Sequence, residues 1–214
     1  MESKKVSNNM LDRLPVYLNY IKALPKSTKN ISATKIASAL GLGEVSVRKD
    51  LAKVSDGGRC KLGYPCDELI KDIEAFLGVK STIQAIIAGK GEMLQYLLSY
   101  EEYESSGLQV IAGFDVNCAK KRCVEDKFIY PISKLDDFCK EHPVQIGIVM
   151  VPAENAQEVC DRMVANGVEG IWNFTPVHLN VPEHVVLQNE SFVASITKLR
   201  MQIKDKNETA ENVI

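Results

Sequence analysis

The chain has 214 residues, enough for one large domain or two small ones. With 45 % hydrophobic and 25 % charged residues, and no apolar run near the roughly 18 that a bilayer span needs, its composition is that of a soluble globular protein and not of a membrane-spanning one. The polar N-terminus lacks the apolar core of a secretory signal, which predicts a cytoplasmic protein, and six cysteines without paired metal-ligand spacing fit a reducing compartment. The net charge of −2 hides an asymmetry: residues 1–61 carry 12 Lys and Arg against 5 Asp and Glu, and the remainder carries 14 against 23. A basic N-terminal part on an acidic body is the electrostatic footprint of a polyanion-binding protein, with chance clustering of solvated lysines as the alternative.

Leu11, Leu14, Val16, Tyr17, Leu18 and Ile21 recur near helical spacing and predict an amphipathic helix over residues 6–24, with Pro25 after its end. The stretch I-S-A-T-K-I-A-S-A-L-G-L at 31–42 opens a short helix with Ser32 as N-cap, a buried face of Ile36, Ala37 and Leu40, and a break at Gly41. Glu44 to Val54 predicts the next helix. Two short helices joined by a glycine-containing turn make a helix-turn-helix, whose second helix presents its N-terminal residues to base edges in the major groove. On that helix Val45, Val47 and Leu51 are expected to face the core. Ser46, Arg48, Lys49 and Lys53 are left for DNA, and Asp50 reads as the orienting partner of a basic residue. The run D-G-G-R-C-K-L-G-Y at 56–64 alternates glycines with cations and suits a β-hairpin wing, Arg59 and Lys61 reaching phosphates or a narrow minor groove; an ordinary turn is the alternative. Leu69, Ile70, Ile73, Phe76 and Leu77 predict a helix over 66–77 closed by Gly78, and the domain boundary falls near Val79-Lys80-Ser81, giving a first domain of residues 1–79.

Beyond the boundary, strands are predicted near 83–88, 109–114, 127–130, 145–151 and 170–174, alternating with helices near 91–100, 131–140 and 154–166, the last stopped by Asn166-Gly167. Such alternation implies a parallel sheet with right-handed crossovers, a Rossmann-type domain over residues 80–189. From Glu190 a helical stretch carries Phe192, Ile196, Leu199 and Ile203 on one face, a stripe suited to burial against a partner subunit, so residues 190–214 read as a dimerisation helix and a tail that is polar and frayed from 204.

The organising stretch is T-I-Q-A-I-I-A-G-K-G-E-M-L at 82–94, a β-branched strand that ends in Gly89-Lys90-Gly91 and passes into a helix. Strand, glycine turn and helix in that order open a dinucleotide-binding unit, in which a pyrophosphate rests on the free N–H groups of the helix N-terminus. Leu94 holds the place of the third glycine of G-x-G-x-x-G, so Glu92, Met93 and Leu94 depart from the motif. Asp115 ends the second strand, where an acidic residue binds the adenosine ribose; a strand-terminal Asp is also an ordinary turn residue. The basic run Asn117 to Cys123 is either a solvated loop or a receptor for a 2′-phosphate or another phosphate. Cys118 and Cys123 flank it, where cations favour a thiolate, and Cys60 lies in the wing, but none has metal or disulfide spacing. His142, His178 and His184 share no spacing with a nucleophile, so neither catalytic nor metal-ligating residues are expected.

A basic winged helix-turn-helix placed before a Rossmann domain resembles the Rex family of redox-sensing transcriptional repressors. The resemblance spans residues 10–203 and rests on Arg13-Leu14-Pro15 with Tyr17, the 31–42 block, V-R-K-D-L at 47–51, Gly63-Tyr64, Phe114-Asp115, V-P-A-E-N-A-Q-E-V at 151–159, N-F-T-P at 173–176 and L-N-V-P at 179–182. It implies an α/β homodimer with an exchanged C-terminal helix, bound to an inverted-repeat DNA operator and controlled by the NADH/NAD ratio. It also implies nucleotide contacts from the 89–94 turn, Tyr100 beside the nicotinamide, Asp115, Pro152, Asn173 and Phe174.

The departures from the family pattern lie at these contacts. The family's phosphate loop resembles G-A-G-N-L-G, against G-K-G-E-M-L here, so Leu94 is expected to push the helix off the strand and Glu92 to repel a pyrophosphate. The Asp–Leu pair that couples nucleotide to the DNA-binding domain in the family is Ser191-Phe192 here, with no charge for Arg13 to meet. The wing has Gly-Arg-Cys-Lys where the family tends to have Gly-Lys-Arg-Gly. The expectation is retained DNA binding with NAD(H) binding weak or lost, another nucleotide being an alternative ligand, and improved NADH affinity on Leu94→Gly with Glu92→Asn. The rival readings are an NAD(P)-dependent oxidoreductase with an accessory basic domain and a nucleotide-gated scaffold without DNA.

Overall fold

The computed structural model describes residues 6–100 and 102–211, the side chains of 104, 105 and 209–211 apart. The chain divides into two units, Met1–Ser81 and Thr82–Ile214.

In the first unit, α1 (Asn8–Lys22), α2 (Ala33–Leu40), α3 (Glu44–Val54) and α4 (Cys66–Leu77) surround one apolar core. Helix α1 buries Met10, Leu14, Tyr17, Leu18 and Ile21, an i, i+4, i+7, i+8, i+11 stripe. Leu11 and Val16, expected inside, are 42 % and 47 % exposed because they fall off that stripe. Lys22 ties α1 to α4 through Glu74 at 2.7 Å. Ser32 caps α2 by accepting the Lys35 N–H at 3.1 Å, satisfying one of the N–H groups a helix start leaves without a partner. Strands β1 (Asn30–Ile31) and β2 (Tyr64–Pro65) pair antiparallel, and Arg59 and Gly63 form one further antiparallel bridge before β2. The wing is thus a single bridged loop with Arg59 and Lys61 exposed at its tip.

The second unit is a seven-stranded sheet flanked by helices. Its strands are β3 (Ile83–Gly89), β4 (Leu108–Asp115), β5 (Arg122–Val124), β6 (Lys127–Pro131), β7 (Ile146–Val149), β8 (Gly170–Asn173) and β9 (Val186–Asn189), and their spatial order is β5-β6-β4-β3-β7-β8-β9. Six strands run parallel in the doubly wound order of dinucleotide-binding folds, and only β5 runs antiparallel, at the edge. Helices α5 (Gly91–Leu98) and α6 (Glu102–Ser105) cover one face, over Ala85, Ile87, Val110, Ile129 and Ile148. Helices α7 (Leu135–Glu141) and α8 (Ala153–Ala165) cover the other, over Ile86, Ala88, Phe114 and Val149. Arg162 on α8 clamps Asp136 on α7 at 2.8 Å, which holds that carboxyl below the usual carboxylate range.

The sequence patterns did not predict β5, β9 or α6, which are short and mostly polar. The tail expectation also changes: helix α9 runs Phe192–Glu211, well past residue 204, and residues 212–214 lie outside the described residues. Among the described residues no helix is long and apolar enough to cross a membrane.

Candidate functional sites: a cationic helix face and a nucleotide edge

Helix α3 buries Val47, Asp50 and Leu51. Val45, expected in the core, is 67 % exposed, because it lies two residues before Val47, on the opposite side of a helix. Asp50 takes the i+3 place of the buried stripe instead. Its Oδ2 accepts Arg13 Nε at 2.8 Å and the Tyr17 hydroxyl at 2.9 Å, and its Oδ1 accepts Arg13 Nη2 at 3.0 Å. This bidentate pair fixes the rotation of α3 about its axis. Ser46, Arg48, Lys49 and Lys53 are consequently all exposed on the face turned away from the core. Arg48 also pairs with Glu44 one turn earlier.

Burial, and after it the hydrogen bond to Asp50, push the Tyr17 phenol up to about 12. Below its ordinary value of 10.0 the phenol is neutral in both folded and unfolded chains, and its contribution to stability is constant. Above that value the unfolded chain releases the proton while the folded chain keeps it, so stability falls as pH rises from about 10 to about 12. The thermal midpoint of the first unit is expected to drop over this window in the natural chain and to drop less in Tyr17→Phe; parallel profiles for the two proteins would show that Tyr17 is not the group responsible.

In the second unit the strand register gathers the other predicted residues at the C-terminal edge of the sheet. Gly89 pairs with Asp115, Ala88 with Val149, and Val149 with Asn173. This edge, beside the point where strand order reverses, is where open α/β sheets bind ligands. Lys90 is the N-cap of α5 and gives it no side-chain hydrogen bond, so the helix presents free N–H groups and the positive end of its dipole. Gly91 has φ +65°, a conformation L side chains rarely adopt, and a Cβ built there meets nothing within 4 Å. The turn therefore has both the backbone shape and the open space of a phosphate cradle. Glu92 and Met93 are exposed on the first turn, where the Glu92 charge suits the helix dipole and opposes a phosphate.

Leu94 does not push α5 off the sheet. It is fully buried, and the room comes from β4: a Cβ on Gly113 would lie 3.2 Å from Leu94 Cδ1. The glycine missing from the helix is compensated by one on the neighbouring strand, so the expected displacement of the helix is corrected.

Asp115 is buried, with its Oδ1 accepting the Asn117 N–H at 2.8 Å and its Oδ2 accepting Arg122 Nη2 at 2.8 Å. Pro152 is the N-cap of α8. The Asn173 side chain is fully engaged by the turn that follows it and by the neighbouring strand β9, Nδ2 donating to Val177 O at 2.9 Å and to Asn189 Oδ1 at 2.8 Å, and Oδ1 accepting Thr175 N at 2.9 Å and Oγ1 at 2.7 Å. Phe174 packs beside Trp172, with ring centroids 4.7 Å apart, and beside Phe192 at 6.2 Å. Tyr100 donates to Glu102 at 2.5 Å, a bond that raises its phenol pKa, and lies between the Tyr96 and Tyr103 rings at 5.8 and 5.1 Å. The Trp172 and Tyr103 rings extend this aromatic edge, which residue-by-residue reading of the sequence missed because Tyr96, Tyr103 and Trp172 share no motif.

The thiols of Cys118 and Cys123 donate to the carbonyls of Lys120 and Glu125 at 2.7 and 3.1 Å, and Cys60 is exposed. No group of three or more His, Cys, Asp or Glu placed to hold a metal occurs among the described residues. On α9 the apolar side chains Phe192, Val193, Ile196, Leu199, Met201 and Ile203 are 51–71 % exposed on the single chain.

Known proteins match both units of the chain. A family model described as "CoA binding domain" matches residues 80–177, and one described as "Putative DNA-binding protein N-terminus" matches residues 5–52. The chain is 38 % identical to a redox-sensing transcriptional repressor Rex of Bacteroides fragilis, over 91 % of this chain and 90 % of that one. It is 31 % identical to the protein of the same name from Clostridium acetobutylicum, over 98 % and 99 %. Among solved structures, RSP, a Rex-family repressor, in complex with β-NAD+ and operator DNA is similar with a TM-score of 0.86 at 29 % identity, over 98 % of this chain and 97 % of that one. RSP in complex with β-NADH gives 0.85 over 98 % and 99 %. With relatives of this identity matching it almost end to end, the chain belongs to the Rex family of redox-sensing transcriptional repressors.

Proposed function

We propose that the chain is a homodimeric repressor that holds an inverted-repeat operator through α3 and the Arg59–Lys61 tip, and binds a nicotinamide adenine dinucleotide over the Gly89–Gly91 turn. The observation that carries this reading is the division of α3. Val47, Asp50 and Leu51 are buried, and every polar residue expected at DNA stands exposed opposite them. Base edges are read by such a face, while the wing cations supply phosphate contacts. Solved complexes of the similar repressor RSP with NADH, and with NAD+ and operator DNA, support the same assignment.

For the nucleotide, the seated Leu94 and the open Gly91 turn support binding. The weakened step is coupling: the Ser191 hydroxyl is spent accepting the Ala194 N–H at 3.0 Å, and Arg13 is held by Asp50. No catalytic chemistry is assigned. The buried thiols of Cys139 and Cys160 are pushed up to about 11 by desolvation, which disfavours the nucleophilic thiolate.

The test is a gel shift of the full chain on a palindromic operator with and without NADH and NAD+, alongside calorimetry with each nucleotide. Operator retention with measurable dinucleotide binding and only a few-fold nucleotide effect on the shift is expected. Failure to retain any genomic fragment at low salt, or steady turnover of NADH with carbonyl substrates, would replace the reading. Arg48→Ala is expected to cost about 1–3 kcal/mol on the cognate operator and much less on random DNA. An equal loss on both would make Arg48 a phosphate contact.

A further inference from the structure

Asp115 stands where an unmodified adenosine ribose is normally held, and it already carries a cationic partner. Arg122 lies on β5, the antiparallel edge strand, opposite Ile129 of β6, and Ile129 pairs with Gly113, two residues before Asp115 on β4. From there its guanidinium crosses to the Asp115 carboxylate at 2.8 Å, while its side chain remains 41 % exposed. A bare Asp at this position accepts the ribose hydroxyls and repels a phosphate on the same ring; an Arg beside it accommodates a 2′-phosphate. Arg122 cancels the repulsion and keeps donors open to solvent.

The surrounding charge points the same way. Lys120, Lys121 and Arg122 are consecutive cations soon after Asp115, with Glu125 and Asp126 set apart at the β5–β6 turn. Lys121 is fixed, with Nζ 3.6 Å from the centroid of the Phe128 ring and 4.8 Å from that of Tyr130. Lys120 forms no ion pair among the described residues. The loop borders a groove of about 490 Å³ whose lining includes Lys120, Lys121 and Lys134 together with the rings of Tyr130, Phe138 and His142. Two acids also line it, Asp137, which Lys134 pairs at 3.3 Å, and Glu141. Aromatic faces beside surplus ammonium groups suit a purine and a phosphate together.

We infer that the second unit takes an adenosine-diphosphate ligand whose ribose carries a phosphate monoester, received by Arg122 and Lys120. This rests on the nucleotide site proposed above and names its ligand class. The phosphate sits on the 2′-hydroxyl in NADPH and on the 3′-hydroxyl in coenzyme A, and both are used as probes beside NADH.

Calorimetry on the full chain is expected to give at least one of the two phosphorylated ligands roughly tenfold or more higher affinity than NADH, the tighter one assigning the phosphate position. Arg122→Ala, which uncovers Asp115, is expected to weaken that ligand by a similar factor and to tighten NADH. Lys120→Ala, at an exposed position, serves as a second variant with little burden on folding, expected to weaken the phosphorylated ligand alone. NADH binding as tightly as both phosphorylated ligands would overturn the inference and leave the dinucleotide site standing; binding of none of the three would remove both.

Discussion

A chain ending at Glu190 is expected to be monomeric and to bind its operator roughly 10²–10⁴-fold more weakly than the full chain, the range lost when two linked binding events become one. Helix α9 has 20 residues, so it is about 30 Å long. Phe192, Ile196, Leu199 and Ile203 follow one another at four, three and four residues, a continuous apolar stripe, and Val193 flanks it. On one chain every one of these side chains is more than half exposed, whereas a monomer in water rarely leaves so long a stripe uncovered. A second copy of the chain is the expected cover, and the two-fold symmetry of such a pair would match an inverted repeat. Ser191 caps the helix start through Ala194 N and Phe192 meets Phe174 at 6.2 Å, so the start of the helix is anchored beside the end of β8. Sedimentation and gel shift read the outcome, with Ile196→Glu and Leu199→Glu as a milder pair that keeps the helix. A truncated chain that sediments as a dimer and holds operator normally would assign dimerisation to another surface.

The sequence made the order of elements legible wherever burial is periodic. The α1, α2 and α4 faces follow from apolar spacing, and the parallel sheet follows from alternating runs, because those patterns are the direct imprint of what each element buries. Residue type misled where phase should have ruled. Val45 is apolar and yet faces solvent, whereas Asp50, read as the partner of a basic residue, is that, and lies in the core because the Arg13 fork and the Tyr17 hydroxyl satisfy it there. A charged residue on a buried stripe is a signal that a partner exists, but its identity 37 positions away in the chain is a tertiary fact. The Asp115–Arg122 pair was hidden for a similar reason: β5 is three residues long and largely exposed, so nothing in its pattern announced the strand that brings Arg122 back to β4. Asn173 was read as a nucleotide contact from the resemblance, and the four side-chain hydrogen bonds that tie it to its turn and to β9 had no signal in the sequence.

Leu94 is the position where motif reading and packing diverge furthest, and it carries the largest expected effect on stability. Leu94→Gly is expected to destabilise the second unit by about 2.5–6 kcal/mol: removal of a buried leucine to alanine costs about 2–5 kcal/mol, and glycine in a helix adds roughly 0.5–1 more. The side chain is fully buried, and it belongs to the cluster of Ala85, Ile87, Leu98, Val110, Ile129 and Ile148 under α5. Leu94 shares the space above Gly113 with Ile129 and Leu98: an added Cβ there lies 3.2 Å from Leu94 Cδ1 and Ile129 Cγ1 and 3.4 Å from Leu98 Cδ2. The two positions are thus coupled, one small where the other is large, and their substitutions should not be additive. Gly113→Ala alone is expected to destabilise through crowding, and the same change in the Leu94→Gly background is expected to recover part of the loss by filling the cavity. Urea unfolding followed by Trp172 fluorescence, the single tryptophan in the second unit, measures each corner of the cycle. Nucleotide affinity of Leu94→Gly should not rise, because the helix whose N-terminus faces the phosphates loses the contact that seats it. A Leu94→Gly chain that unfolds at the natural urea midpoint and binds dinucleotide more tightly would mean that the leucine obstructs the ligand and that Gly113 does not accommodate it.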